Sequence, residues 1–319
     1  MPVDRMTPPR SVKLFWACII LIAALGAAYL QYLGPVEPTP HLAARGDALA
    51  IPAPSPMLLA ASPVNPAWKL PHPGPYGVTP MRYYAARAIA PSGAPEIALM
   101  VAGLGEALAP SMAAVNDLPP AVSLALSPYG AHDAAIEAAA RKAGHETILG
   151  LPMEVNGEPD ITEGDQSLRA GAATSANLKR LDWALSRIQG YAGVTDAIGM
   201  AVPETFLGHP HAAHWLATQL AASGLFLIVA TPGAPVPNGV AGQAATVTIN
   251  PDDGTASITT ALDRLAQTAT TRGHAIGVIT DPDRQGIATI AAWLHGKAAQ
   301  HLALVPVSAI ADPATSAAP

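Results

Sequence analysis

Ile97-Ala-Leu-Met-Val-Ala-Gly-Leu-Gly105 is an unbroken apolar run that stops at a glycine turn. Five more runs share that form: Ile148-Leu-Gly-Leu-Pro-Met-Glu154, Ala197-Ile-Gly-Met-Ala-Val202, Leu225-Phe-Leu-Ile-Val-Ala230, Ala275-Ile-Gly-Val-Ile-Thr280 and Leu302-Ala-Leu-Val-Pro-Val307. Strands buried on one face alternate polar and apolar residues, whereas continuous apolar runs belong to strands covered on both faces. Helix-like segments separate the runs, so the chain reads as an α/β sheet or barrel. Chemistry in such folds sits just past the carboxyl ends of the strands. Here those ends carry mostly Ala, Gly and Pro, where a hydrolase needs Asp, His or Glu.

The intervening segments predict helices at Ser111–Asp117, Ala131–Ala143, Ser175–Gln189, Pro210–Ser223, Ile258–Arg272 and Gly286–Gln300. Leu178, Leu181, Leu185 and Ile188 recur at the spacing of one helix face. Gly144, Gly190, Gly224 and Gly273 stand where C-terminal caps are expected. Upstream, Leu14–Leu33 is apolar apart from Gln31 and long enough to cross a bilayer as a helix. Arg5, Arg10 and Lys13 precede it and Glu37 is the first charge after it, which places residues 1–13 in the cytoplasm and the bulk of the chain outside. A cleaved signal peptide is the competing reading, but the apolar stretch exceeds the usual signal core, which favours an uncleaved, single-pass inner-membrane anchor over 14–33. From 34 to 95 closely spaced prolines predict an extended periplasmic linker, with a short helix at Met81–Ala90. The globular domain is expected over 96–311 and a disordered tail over 312–319.

Of the 319 residues, 50% are hydrophobic and 13% charged, with a net charge of −6 and no basic stripe, which argues against a nucleic-acid partner. The single cysteine, Cys18, lies in the anchor segment, so the rest of the chain has neither a disulfide nor a thiolate metal site.

Several segments fall in a telling order: Leu104-Gly105, Leu118-Pro119, Val122-Ser-Leu-Ala-Leu-Ser-Pro-Tyr129, Ala143-Gly-His-Glu146, Leu151-Pro-Met-Glu154, Gly193-Val194, Gly224-Leu-Phe226, Gly273-His-Ala-Ile276 and Leu304-Val-Pro-Val-Ser308. The string resembles the divergent polysaccharide deacetylase family of bacterial envelope proteins, from Glu96 to Ile310. The resemblance implies a deformed (β/α) barrel related to metal-dependent carbohydrate deacetylases. It also implies an Asp-Asp pair at the end of the first strand and two separate His residues that help to hold a divalent metal. This chain departs at each position. Ala102-Gly103 fill the Asp-Asp slot, Ala197 and Asp281 stand at the two His positions, Gly150 replaces a His before Leu-Pro-Met-Glu, and Val229 replaces an Asp.

Deacetylation by that route needs a cation to lower the pKa of water and to polarise the carbonyl, together with a base. Glu154, Asp196, Asp281 and Asp283 are the remaining carboxylates near strand ends, and oxygen ligands suit a hard cation; as capping or turn residues they would be ordinary. His211 and His214 share a helix face behind His209 and form a second candidate metal set. Asp252-Asp253-Gly254 reads first as a turn, and Trp183, Trp215 and Trp293 read as core residues. The expectation is a non-catalytic, membrane-anchored protein with no cofactor, binding envelope glycan or an envelope protein. The rival is an active carbohydrate deacetylase, using a divalent metal such as zinc, with a site rebuilt from Glu154, Asp196 and Asp281.

Overall fold

Residues 96–104 carry the reason for the architecture. In the computed structural model, which describes residues 50–87, 93–156, 162–198, 205–296, 299 and 301–312, they form strand β3 (Glu96–Leu104). Ile97, Leu99 and Val101 face the surrounding helices, whereas Ala98, Met100 and Ala102 face an interior core. Both sets are apolar because both faces are covered.

The elements, in chain order, are a hairpin β1 (Leu59–Ala61) and β2 (Lys69–Pro71), α1 (Pro80–Tyr83), β3, α2 (Leu108–Asp117), β4 (Ser123–Leu126), α3 (Asp133–Ala143), β5 (Thr147–Gly150), α4 (Thr174–Leu185) and β6 (Gly193–Thr195). There follow α5 (Pro210–Ser223), β7 (Phe226–Val229), β8 (Gly242–Ala244), β9 (Val247–Ile249), α6 (Thr255–Arg272), β10 (His274–Thr280), α7 (Arg284–Leu294), β11 (Ala303–Val305) and α8 (Val307–Ala311). The main sheet runs β8-β7-β6-β5-β4-β3-β10-β9, and every pair in it is parallel. β11 pairs with the beginning of β3, below the point where β4 takes over. The path curls back on itself. β8 lies on β7 and β9 on β10, and between them only Ala245 and Thr246 intervene, donating to Val229 O and Ile276 O at 2.7 Å each. One crossing strand thus joins the two ends of the path, giving a curled parallel sheet of the deformed-barrel kind.

Small side chains line the interior, including Ala98, Ala102, Ala125, Ala192, Ala197 and Ala245. They leave room for the bottom of the barrel, at the amino ends of the strands, to be filled by other parts of the chain. Ile51, Leu58, Tyr84 and Ala86 join this core, as do Val307 and Ala311 of α8.

Several expectations are corrected. Residues 50–87 were expected in the extended linker over 34–95, yet they fold onto the barrel. Ile51 N donates to Arg141 O at 3.0 Å, Met81 N to Gly224 O at 3.0 Å, and Ser62 Oγ to the Asp182 carboxylate. The prolines that forbid a long helix do not forbid a short hairpin with apolar residues on one side. The helix expected at Met81–Ala90 is the single turn α1, with residues 88–92 outside the described set. The strand expected at Ala197–Val202 lies earlier, at β6, and residues 199–204 are outside the described set. Asp312, expected in the tail, sits 3.4 Å from the Arg82 guanidinium. Gly144 and Gly224 cap their helices in the left-handed region and Gly273 caps α6 at positive φ; α4 ends earlier, at Leu185, so Gly190 is a left-handed turn residue instead. The anchor expected at 14–33 lies outside the described residues, among which no helix is long and apolar enough to cross a membrane.

Candidate functional site at the barrel mouth

The carboxyl ends of β3, β5, β6, β7 and β10 meet at one mouth, so the sequence candidates fall in one region. Ala102, Gly150, Ala197 and Val229 are buried there. Gly103 is half-buried at φ 80°, in a register shift of β3 against β4. None of these five has a side chain that can ligate a cation. Beside Gly150 the space is filled, because a Cβ on that residue would lie 2.9 Å from the Ile198 γ2 methyl and 3.1 Å from Ala197 O.

The carboxylates near the mouth are occupied separately. Asp196 is 5% exposed and accepts from Ala230 N at 2.6 Å. Burial pushes its carboxyl up to about 6, against the opposing hydrogen bonds. Half-buried Glu154 accepts from Ala170 N at 2.8 Å, and its own carbonyl accepts from Thr205 N at 2.8 Å and Thr205 Oγ1 at 3.0 Å. It braces three loops. Asp281 is an exposed residue at φ 42°, its N–H donating to Ala102 O at 3.0 Å. Desolvation first, then the charges of Glu106 and Asp252, raise its carboxyl above the ordinary value. Asp283 caps α7 by accepting from Gly286 N at 2.7 Å.

His209, His211 and His214 are exposed along the start of α5. Among the described residues no three His, Cys, Asp or Glu side chains converge as a metal-binding group. Asp252 and Asp253 form the expected turn, in which Asn250 Oδ1 accepts from Asp252 N. Trp293 is buried and donates to Asp263 Oδ1 at 2.8 Å. Trp183 and Trp215 are half-buried against the core, as a core reading requires only in part.

Sequence reasoning missed the acidic corner over β3 and β4. Glu106 accepts from Ser127 Oγ at 2.8 Å. Asp133, the first residue of α3, is 7% exposed, and its Oδ1 has no hydrogen-bond partner. Burial pushes the carboxyl up to about 7, with Arg187 opposing and Glu106 adding to the rise. Arg187 lies 5.5 Å over the Trp183 ring, which tilts against Tyr129 at 5.2 Å. The available signal was a carboxylate close behind each of two glycines, Glu106 directly after Gly105 and Asp133 three residues after Gly130, positions that a helix start explains equally well.

The profile of the divergent polysaccharide deacetylase family matches residues 99–311. The chain belongs to that family. Its fold is similar to the crystal structure of an uncharacterized protein from Agrobacterium tumefaciens C58, at TM-score 0.69 and 30% identity, covering 76% of this chain and 99% of the other. No curated protein matches the chain.

The family's most specific motif pieces do structural work in this member of the divergent polysaccharide deacetylases. Glu146 of Ala-Gly-His-Glu is fully buried and accepts from Ser123 Oγ at 2.7 Å, Ala86 N at 3.0 Å, and both the amide, at 3.1 Å, and the hydroxyl of Ser308. Ser308 closes the Leu-Val-Pro-Val-Ser segment, so the two motifs meet below the barrel, far from the mouth. His145 Nδ1 lies 2.8 Å from Val122 O and Nε2 3.2 Å from Val115 O. Burial lowers its pKa, although both carbonyls favour the cation.

Proposed function

We propose that this divergent polysaccharide deacetylase family member is an envelope protein, anchored in the cytoplasmic membrane by residues 14–33, that binds glycan or an envelope protein at the barrel mouth without catalysis. The carrying observation is the identity of the side chains there. Ala102, Gly103, Ala197 and Asp281 stand where the family resemblance calls for metal ligands, Gly150 and Val229 replace a further His and Asp, and Ile198 fills the space a side chain at 150 would need. A divalent cation does not fit this set.

The rebuilt-site deacetylase has less support. Its three carboxylates are directed to different tasks: Asp196 to Ala230 N, Glu154 to Ala170 N, and Asp281 toward an acidic rim with Glu106 and Asp252. Catalysis by a metal-bound water needs converging ligands and a base within hydrogen-bond reach.

The test uses the purified full chain. It should carry no stoichiometric zinc or other divalent metal, leave N-acetylglucosamine oligomers acetylated, and keep its melting temperature in chelator, since nothing bound to the native state is removed. Mole-for-mole metal, with deacetylation abolished by chelator and by Glu154→Ala, would establish the enzyme instead.

A further inference from the structure

The strand that closes the barrel does so by changing neighbours, and this leaves a wedge in the wall. β8 pairs with β7 through Gly242–Ala244, whereas β9 meets β10 only from Val247, opposite Gly277. Below that crossing the chain touches His274–Ile276 only through Thr246, which exchanges hydrogen bonds with Ile276 at 2.7 and 3.1 Å. The connection from β7 to β8, residues 230–241, is irregular and carries Pro232, Pro235 and Pro237. A groove of about 560 Å³ results, bounded by this connection, β8 and the start of β10.

Its polar lining is one-sided in chemistry. Arg272, His274, Gln243 and Thr246 converge on it, and no Asp or Glu lines it, in a chain where acidic residues outnumber basic ones 23 to 17. The side chains of Arg272, His274 and Gln243 have no hydrogen-bond or ion-pair partner among the described residues. Thr246 Oγ1 accepts from Ile276 N and keeps its own hydrogen to donate. Ala244, Ala245 and Ile276 add an apolar floor. The volume falls in the roughly 300–1,000 Å³ range of small-molecule sites, and a few convergent polar groups over apolar walls is their usual composition. A guanidinium presents a fork of donors that fits carboxylate or phosphate oxygens.

We propose that this groove binds a small molecule of monosaccharide to disaccharide size bearing an oxyanion, a carboxylate or a phosphate, with Arg272 as the anchoring cation and Gln243, Thr246 and His274 as further contacts. The site lies apart from the barrel mouth and is independent of what the mouth binds.

Three probes of one ring size test it on the full chain in detergent: glucuronate, glucose 6-phosphate and glucose, each titrated calorimetrically. At least one anion should bind and glucose should not, and the preferred anion identifies the oxyanion as carboxylate or phosphate. Arg272→Gln should weaken that binding at least tenfold while leaving the melting temperature unchanged, because Arg272 is exposed. Arg272→Lys should retain part of it, and Glu106→Gln at the mouth should leave it intact. The proposal fails if neither anion binds, if glucose binds equally well, if Arg272→Gln binds as wild type, or if Glu106→Gln abolishes binding.

Discussion

Asp133 opens α3 with a carboxyl that nothing neutralises at close range. A Cβ on Gly105 or on Gly130 would lie 2.1 Å from its Oδ1, so two glycines are required for it to be accommodated at all. Its pKa stands at about 7 against an ordinary 3.8, so between those values the native state holds a proton that the unfolded chain releases. The stabilisation is complete below the unfolded value and is lost as pH rises through about 7. Asp133→Asn should therefore raise the urea midpoint at pH 8 and do so much less at pH 5; equal shifts at both would refute the buried, raised carboxyl. Glu137 (about 7) and Asp196 (about 6) act in the same direction. His145, lowered from 6.5, acts oppositely, its contribution being lost as pH falls. At this scale the sequence was a partial guide. It placed Glu154, Asp196 and Asp281 near the mouth because each lies near the end of an expected strand. It could not say that Glu154 and Asp196 are spent on backbone amides, because those partners come from loops 16 and 34 residues away.

Elements were more legible than residues, because periodicity is a local property. The face predicted for α4 is the buried one: Leu181, Leu185 and Ile188 are all 3% exposed or less, with Leu178 half-buried at the helix's beginning. The Leu185 carbonyl also accepts from buried Tyr191 Oη at 2.9 Å, so that helix end is fixed on both sides. Leu185→Ala should cost about 2–5 kcal/mol, from lost burial and the cavity left behind. An unchanged unfolding midpoint would show that this face carries no core. β6 was misplaced for a physical reason. It is only three residues long, and it begins at Gly193, where a Cβ would meet the Phe226 ring at 2.5 Å. The glycine that permits this close strand packing reads in sequence as a turn. The longer apolar run after it carries the stronger strand pattern.

Over the whole molecule, what the sequence concealed is how the chain's ends are used. A proline-rich segment reads as a spacer from composition, but Ile51, Leu58, Tyr84 and Ala86 are core residues, and Ala86 N reaches Glu146 beside Ser308. The arm and the C-terminal helix therefore close the barrel bottom together, while the mouth stays clear of both. A fusion that separates residues 50–87 from the barrel would disturb this core, so a topology test must keep the chain intact. The anchor expectation rests on the apolar segment 14–33 with Arg5, Arg10 and Lys13 on its amino side and Glu37 beyond it. With reporters joined behind Pro319, a phosphatase active only after export should be active, and a fluorescent protein that matures only in the cytoplasm should be dark. The reverse pattern would place the domain in the cytoplasm, away from envelope glycan, and would remove the proposed partner along with the proposed location.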